Sequence, residues 1–135
     1  MKAIWNDTVL AESDNGLSFP TLRYVYEPPS DGSWHGNRGR VNCLLPWGDG
    51  FVGTFDGGRT YYDNFEEWCG LVTSPDGARI ERVDTDGPWV RSPHGSVRYV
   101  WGLRVDDVVR WYFEHTRADG SHDLRVAEVT VPPGA

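Results

Sequence analysis

The chain has 135 residues, with 16 Gly, 9 Pro, seven Trp and a formal net charge of −7. A single Lys and an acidic balance exclude the clustered cationic surface that grips a phosphate backbone, so no nucleic-acid partner is expected. No run of about 18 apolar residues occurs, so no membrane partner is expected either, and a chain of this length buries one modest core.

Gly and Pro punctuate stretches rich in Val, Tyr, Phe and Trp, while Ala, Lys and Met are scarce. That mixture favours short strands and tight turns over helices, and no window carries a sustained helical period. The expected class is all-β.

In chain order, the first segment, 1–27, predicts strands at Ala3 to Asn6, Thr8 to Glu12 and Phe19 to Tyr26. The Asp14-Asn15-Gly16 turn joins the last two, because Asn-Gly tolerates the positive φ that tight hairpins need. A Gly/Pro-rich linker runs from Pro28 to Asn37. The second segment, 38–84, predicts four strands: Arg40 to Leu45, Phe51 to Phe55, Glu67 to Thr73 and Arg79 to Val83. Turns at Trp47 to Gly50 and Ser74 to Gly77 join the outer pairs, and a longer loop, Gly57 to Phe65, joins the middle pair. A second linker covers Asp84 to Pro93. The third segment, 95–131, predicts strands at Val97 to Val105, Val108 to His115 and Leu124 to Val131, with no room for a fourth.

The second and third segments are a repeat. With an offset of 58, Arg40 falls on Arg98, Asp49 on Asp107, and Phe55-Asp56 on Phe113-Glu114. The shared pattern is Arg, apolar strand, acidic turn, apolar strand, aromatic, carboxylate. A period of this size signals stacked or radially arranged supersecondary units. A weaker match sets Leu10 to Gly16 on Val72 to Gly77.

Two Cys make no disulfide framework. Cys43 and Cys69 fall on strands two apart, a separation of roughly 9–10 Å at the usual strand spacing, beyond the reach of a disulfide. Two free thiols are expected. With no basic and apolar leader pattern at the N-terminus, the expected compartment is the cytoplasm. The four His show no metal spacing with one another or with Cys, and neither metal nor cofactor is expected.

Gly39 to Asn42, Phe55-Asp56-Gly57, Asn64 to Gly77, Gly95 to Val100 and Tyr112-Phe113-Glu114 together resemble the last two blades of the five-bladed β-propeller glycosidases, the group of arabinanases, xylosidases and fructosidases. The resemblance covers residues 10 to 130. It implies a partial β-propeller of about two and a half four-stranded antiparallel blades: a half blade over 1–27, a full blade over 38–84 and a three-stranded blade over 95–131. In such enzymes the catalytic carboxylates are spread over the first three blades. The resemblance therefore implies a chain that supplies sugar-binding walls and at most part of the acid/base pair.

Glycosidases use two carboxylates flanking the scissile bond. Asp56 closes one predicted strand while Glu66 and Glu67 open the next, so a hairpin brings these candidates together, and two carboxylates in one cleft raise one pKa. The alternative is that Glu66 or Glu67 pairs with Arg40 or Arg98 and locks neighbouring blades. Arg40 and Arg98 start equivalent innermost strands, where a guanidinium can hold a sugar or a substrate carboxylate; their repetition equally favours a structural role. Asn42 is a candidate partner for a sugar hydroxyl. His94, in a loop before the last unit, and Tyr99, beside Arg98, are candidate contacts. Trp34 and Trp89 lie in the linkers and can stack on a sugar ring or fill core, whereas Trp101 and Trp111 are expected to pack within the sheets. The functional readings are glycosidic-bond hydrolysis, a non-catalytic carbohydrate-binding or scaffold module, and an inactive truncated product. Unpaired blade edges invite self-association.

Overall fold

The computed structural model describes residues 2–5, 8–12, 26–60, 67–83 and 86–132, the first two stretches as backbone alone. The described strands are β1 (Lys2–Trp5), β2 (Thr8–Glu12), β3 (Arg38–Trp47), β4 (Gly50–Gly58), β5 (Trp68–Ser74), β6 (Glu81–Arg82), β7 (Val97–Val105), β8 (Val108–Thr116) and β9 (His122–Thr130). They form a β1–β2 hairpin, a four-stranded sheet β3-β4-β5-β6 and a three-stranded sheet β7-β8-β9, every neighbouring pair antiparallel. The all-β class holds, and no helix among the described residues is long and apolar enough to cross a membrane.

Most expected strands are present, and several run longer than the apolar pattern marks. The expected strand Arg79 to Val83 shrinks to the two residues of β6. The turn before it explains the loss. Asp76 Oδ1 accepts the backbone N–H groups of Ala78 and Arg79, each at 2.8 Å, and Ser74 Oγ accepts that of Gly77 at 2.8 Å. Those donors are spent on the turn and are not offered to a ladder. The Asn15-Gly16 turn, residues 19–25 of the strand expected at Phe19 to Tyr26, and Glu66 lie outside the described residues.

The repeat survives as register. Arg40 pairs with Asp56 across β3–β4, and Arg98 with Glu114 across β7–β8. Both strand pairs carry a bulge just after the Arg, between Val41 and Cys43 in one and between Arg98 and Trp101 in the other. A bulge inserts one residue and re-aims the strand. Here it turns both first strands at the same point.

The sheets stack on an apolar seam of Cys43, Leu45, Cys69, Val97, Val100, Val109 and Trp111. Gly102 permits the close approach: a Cβ there would stand 2.6 Å from Leu45 Cδ1 and 2.7 Å from Trp111 Cζ3. Both cysteines are free thiols, as their strand positions require. The opposite face of the first sheet has its own cluster, in which Trp34 from the linker stacks on Phe55 at 5.4 Å and Tyr26 meets the same ring at 5.2 Å. The linker is thus part of the core. Fully burying a large apolar side chain contributes about 1.5–3 kcal/mol, and Phe55 anchors that whole face. Phe55→Ala is expected to cost about 3–5 kcal/mol, read as a lower urea midpoint with an unchanged slope; a loss below about 1 kcal/mol would show that this face is not a packed core.

Candidate functional site

The strand polarity gathers charge at one end of both sheets. The starts of β3, β5, β7 and β9 and the ends of β4 and β8 all meet there. Arg38 and Arg40, two apart on β3, share a face before the bulge. Asp56 comes from the end of β4, Glu67 from the residue before β5, Arg98 and Tyr99 from the start of β7, Glu114 from β8 and His122 from β9.

Asp56 is fully buried, and both of its oxygens are engaged. Its Oδ2 accepts Arg40 Nη2 at 2.5 Å and the Tyr99 backbone N–H at 3.0 Å, and its Oδ1 accepts Asn42 Nδ2 at 2.8 Å. Three of those four residues belong to the first sheet and Tyr99 to the second. Glu67 is buried beside it. Its carboxylate accepts Arg38 Nη1 at 3.0 Å and Arg40 Nη2 at 3.3 Å, and lies 4.0 Å from Arg98 Nη1. One Arg40 nitrogen therefore touches both carboxylates. Arg98 Nε donates to Glu114 Oε1 at 2.5 Å, and His122 Nδ1 stands 2.8 Å from that oxygen and 3.2 Å from Arg98 Nη2.

The Tyr99 N–H reaches Asp56 because Tyr99 has a φ of 55°. An aromatic residue rarely adopts this left-handed conformation, which costs on the order of 1–3 kcal/mol and persists only where its surroundings enforce it. The enforcing groups are visible: Asp56 holds the amide, and the Arg40 and Arg98 guanidinium carbons lie 4.4 Å and 5.1 Å from the ring centroid. Nearby, Thr54 Oγ1 donates to Val100 O at 2.5 Å, Val97 N–H to Glu67 O at 3.0 Å, and Gly102 N–H to Cys43 Sγ at 3.3 Å. The strand β7 is bonded along its length to the first sheet as well as packed on it.

Burial pushes the Asp56 carboxyl above its ordinary range, against the opposing pull of Arg40, the Tyr99 N–H and Asn42. The exposed part of the cluster is small. The Arg40 side chain is 44% exposed and Tyr99 is 47% exposed, and together they form the accessible rim above the buried carboxylates.

The predicted candidates divide accordingly. Asp56, Glu67, Arg40, Asn42, Arg98 and Tyr99 come together. Glu66 lies outside the described residues. His94 is exposed in its loop and joins the cluster through no contact; its backbone N–H donates to Ser92 Oγ at 3.1 Å. Trp89 packs edge-on against Trp111 at 5.5 Å and lines an apolar cavity of about 150 Å³ with Val97, Val100, Phe113 and Val129. Trp34 is core. Trp101, expected to pack within its sheet, is 57% exposed, because the bulge before it sets it on the outer face.

Arg38, Glu114 and His122 complete the cluster and were not singled out as candidates. Arg38 was legible as the residue two before Arg40, and Glu114 as the repeat partner of Asp56. His122 carried no signal, since only the β8–β9 register, which pairs it with Thr116, brings it to this end.

No protein-family model, no curated protein and no solved structure matches this chain.

The raised Asp56 pKa gives a signed prediction. From about pH 4 upward, the unfolded chain releases this proton before the folded chain does, so Asp56 subtracts stability as pH rises toward its folded value. In paired urea melts, the unfolding free energy of the wild type minus that of Asp56→Asn is expected to fall across this interval. A difference that grows in favour of the wild type would show that the ion pair outweighs burial.

Proposed function

We propose that this chain is a non-catalytic carbohydrate-binding protein whose ligand meets the Arg40–Tyr99 rim, and that its two stacked sheets are blades of a propeller-like array. One observation carries the reading. The two described candidate carboxylates, Asp56 and Glu67, are engaged by internal donors, while Arg40 and Tyr99 above them are each nearly half exposed.

A retaining or inverting glycosidase must present one carboxyl group to the leaving oxygen and another to the anomeric carbon or a water. Asp56 is fully enclosed and Glu67 nearly so. Each is bound to guanidinium groups that would have to be displaced before either could meet a substrate. Breaking a buried charge pair in this way costs about 3–5 kcal/mol, a large addition to any barrier. The rim needs no such rearrangement. An aromatic ring offers a flat apolar face, and a guanidinium offers a fork of donors to hydroxyl or carboxylate oxygens. The backbone strain at Tyr99 supports the reading, since strained residues concentrate at ligand sites. The resemblance to arabinanases, xylosidases and fructosidases directs the choice of sugars.

Tyr99→Gly separates binding from folding, because Gly adopts the positive φ without strain while removing the ring. Titration calorimetry with arabino-, xylo- and fructo-oligosaccharides is expected to find one class that binds the wild type. Tyr99→Gly should weaken that binding about tenfold, or about 1.4 kcal/mol, with an unchanged or higher melting temperature. Reducing-sugar release that is abolished by Asp56→Asn would overturn the non-catalytic reading. Failure of all three sugar classes to bind would overturn the carbohydrate reading.

A further inference from the structure

The two sheets stack head to tail, and the stack is left open. On β3 the covered face presents Cys43, Leu45 and Trp47 to the seam. Their repeat equivalents on β7 are Trp101, Leu103 and Val105, and all three are exposed. Across β8, on β9, stand Leu124 and Val126, with Leu124 76% exposed. The β8–β9 register joins these rows into one face: Tyr112 pairs with Val126, and Glu114 with Leu124. The second sheet thus repeats, on its outer side, the apolar surface that the first sheet buries. Contiguous exposed apolar surface of this kind marks an interaction site.

We propose that this open face of the second sheet is an interface with a second copy of this chain, related by a two-fold axis. Continuity with the existing stack argues for a β-sheet occupant, since the equivalent face of the first sheet is covered by a sheet of this same chain. The surface that the second copy can present is limited. The continuing face of its first sheet is sealed by Trp34 and Tyr26 over Phe55, so head-to-tail addition is blocked there. Among the described residues, the open face of its own second sheet has no such cover. Pairing like with like is an isologous contact, which closes at two copies. Charge agrees with that choice. Arg110 and Glu128 pair at 2.6 Å within this face, both partly exposed, so the pair brings no net charge to a contact of like with like. This interface is a sheet face, not a strand edge, and it does not depend on the carbohydrate reading.

Sedimentation equilibrium of the full chain tests it. The wild type is expected to run at the mass of two chains. Trp101→Glu and Leu124→Glu should each run at the mass of one chain at the same concentration. Both variants sit at exposed positions and are expected to keep the wild-type far-ultraviolet spectrum and a cooperative melt, which shows that the fold is intact. A wild-type chain that stays monomeric at 100-fold higher concentration overturns the proposal. So does a dimer that survives both substitutions, which would place the contact elsewhere on the molecule.

Discussion

The structure turns on one buried carboxylate. Asp56 has no contact with solvent and binds an Arg and an Asn of its own sheet and a backbone N–H of the next. An enclosed charge is costly unless its oxygens are satisfied. That requirement places strict demands on the neighbours. Arg40 must lie directly across the ladder, the bulge must aim Asn42 back at it, and Tyr99 must accept a left-handed backbone so that its N–H can point inward. Once these are met, β7 is fixed against the first sheet, and Thr54, Cys43 and Glu67 supply further bonds along the same seam.

The same constraint shows why the repeat is imperfect. In the first sheet the carboxylate is Asp56, short and buried, and it serves the neighbouring sheet. In the second it is Glu114, longer and only half-buried, and it serves Arg98 and His122 of its own sheet. No further sheet covers this position among the described residues, so the longer side chain can turn toward its own strand neighbours. The covered face carries Cys43 and Leu45 where the open face carries Trp101 and Leu103.

The architecture was largely legible in the sequence because its signals were local. Strand β7 was marked at both ends by Gly, Asp and alternating apolar residues, and the offset of 58 set an Arg and a carboxylate at equivalent places in both units. The Cys43 and Cys69 thiols followed from strand spacing alone. What was not legible depended on register and on one-residue insertions. The bulge that exposes Trp101 leaves no mark in composition, and the shortening of β6 reflects competition from Asp76 for two backbone donors. Trp34 read equally well as a linker aromatic and as core, since only the fold shows that the linker crosses Phe55. The role of Glu67 was visible as a choice between catalysis and an interblade lock, and the geometry places it on Arg38, Arg40 and Arg98.

A carboxylate that holds two sheets together is not free to act on a substrate, and the functional reading follows from that occupancy. The Tyr99 amide reports it directly, because it donates to Asp56 on the facing sheet. Amide hydrogen exchange measured residue by residue is therefore the decisive experiment. The account predicts that the Tyr99 amide exchanges only through global unfolding and loses that protection selectively in Asp56→Ala. Exchange at Tyr99 as fast as at an exposed loop amide in the wild type would contradict it, showing that Asp56 does not join the sheets.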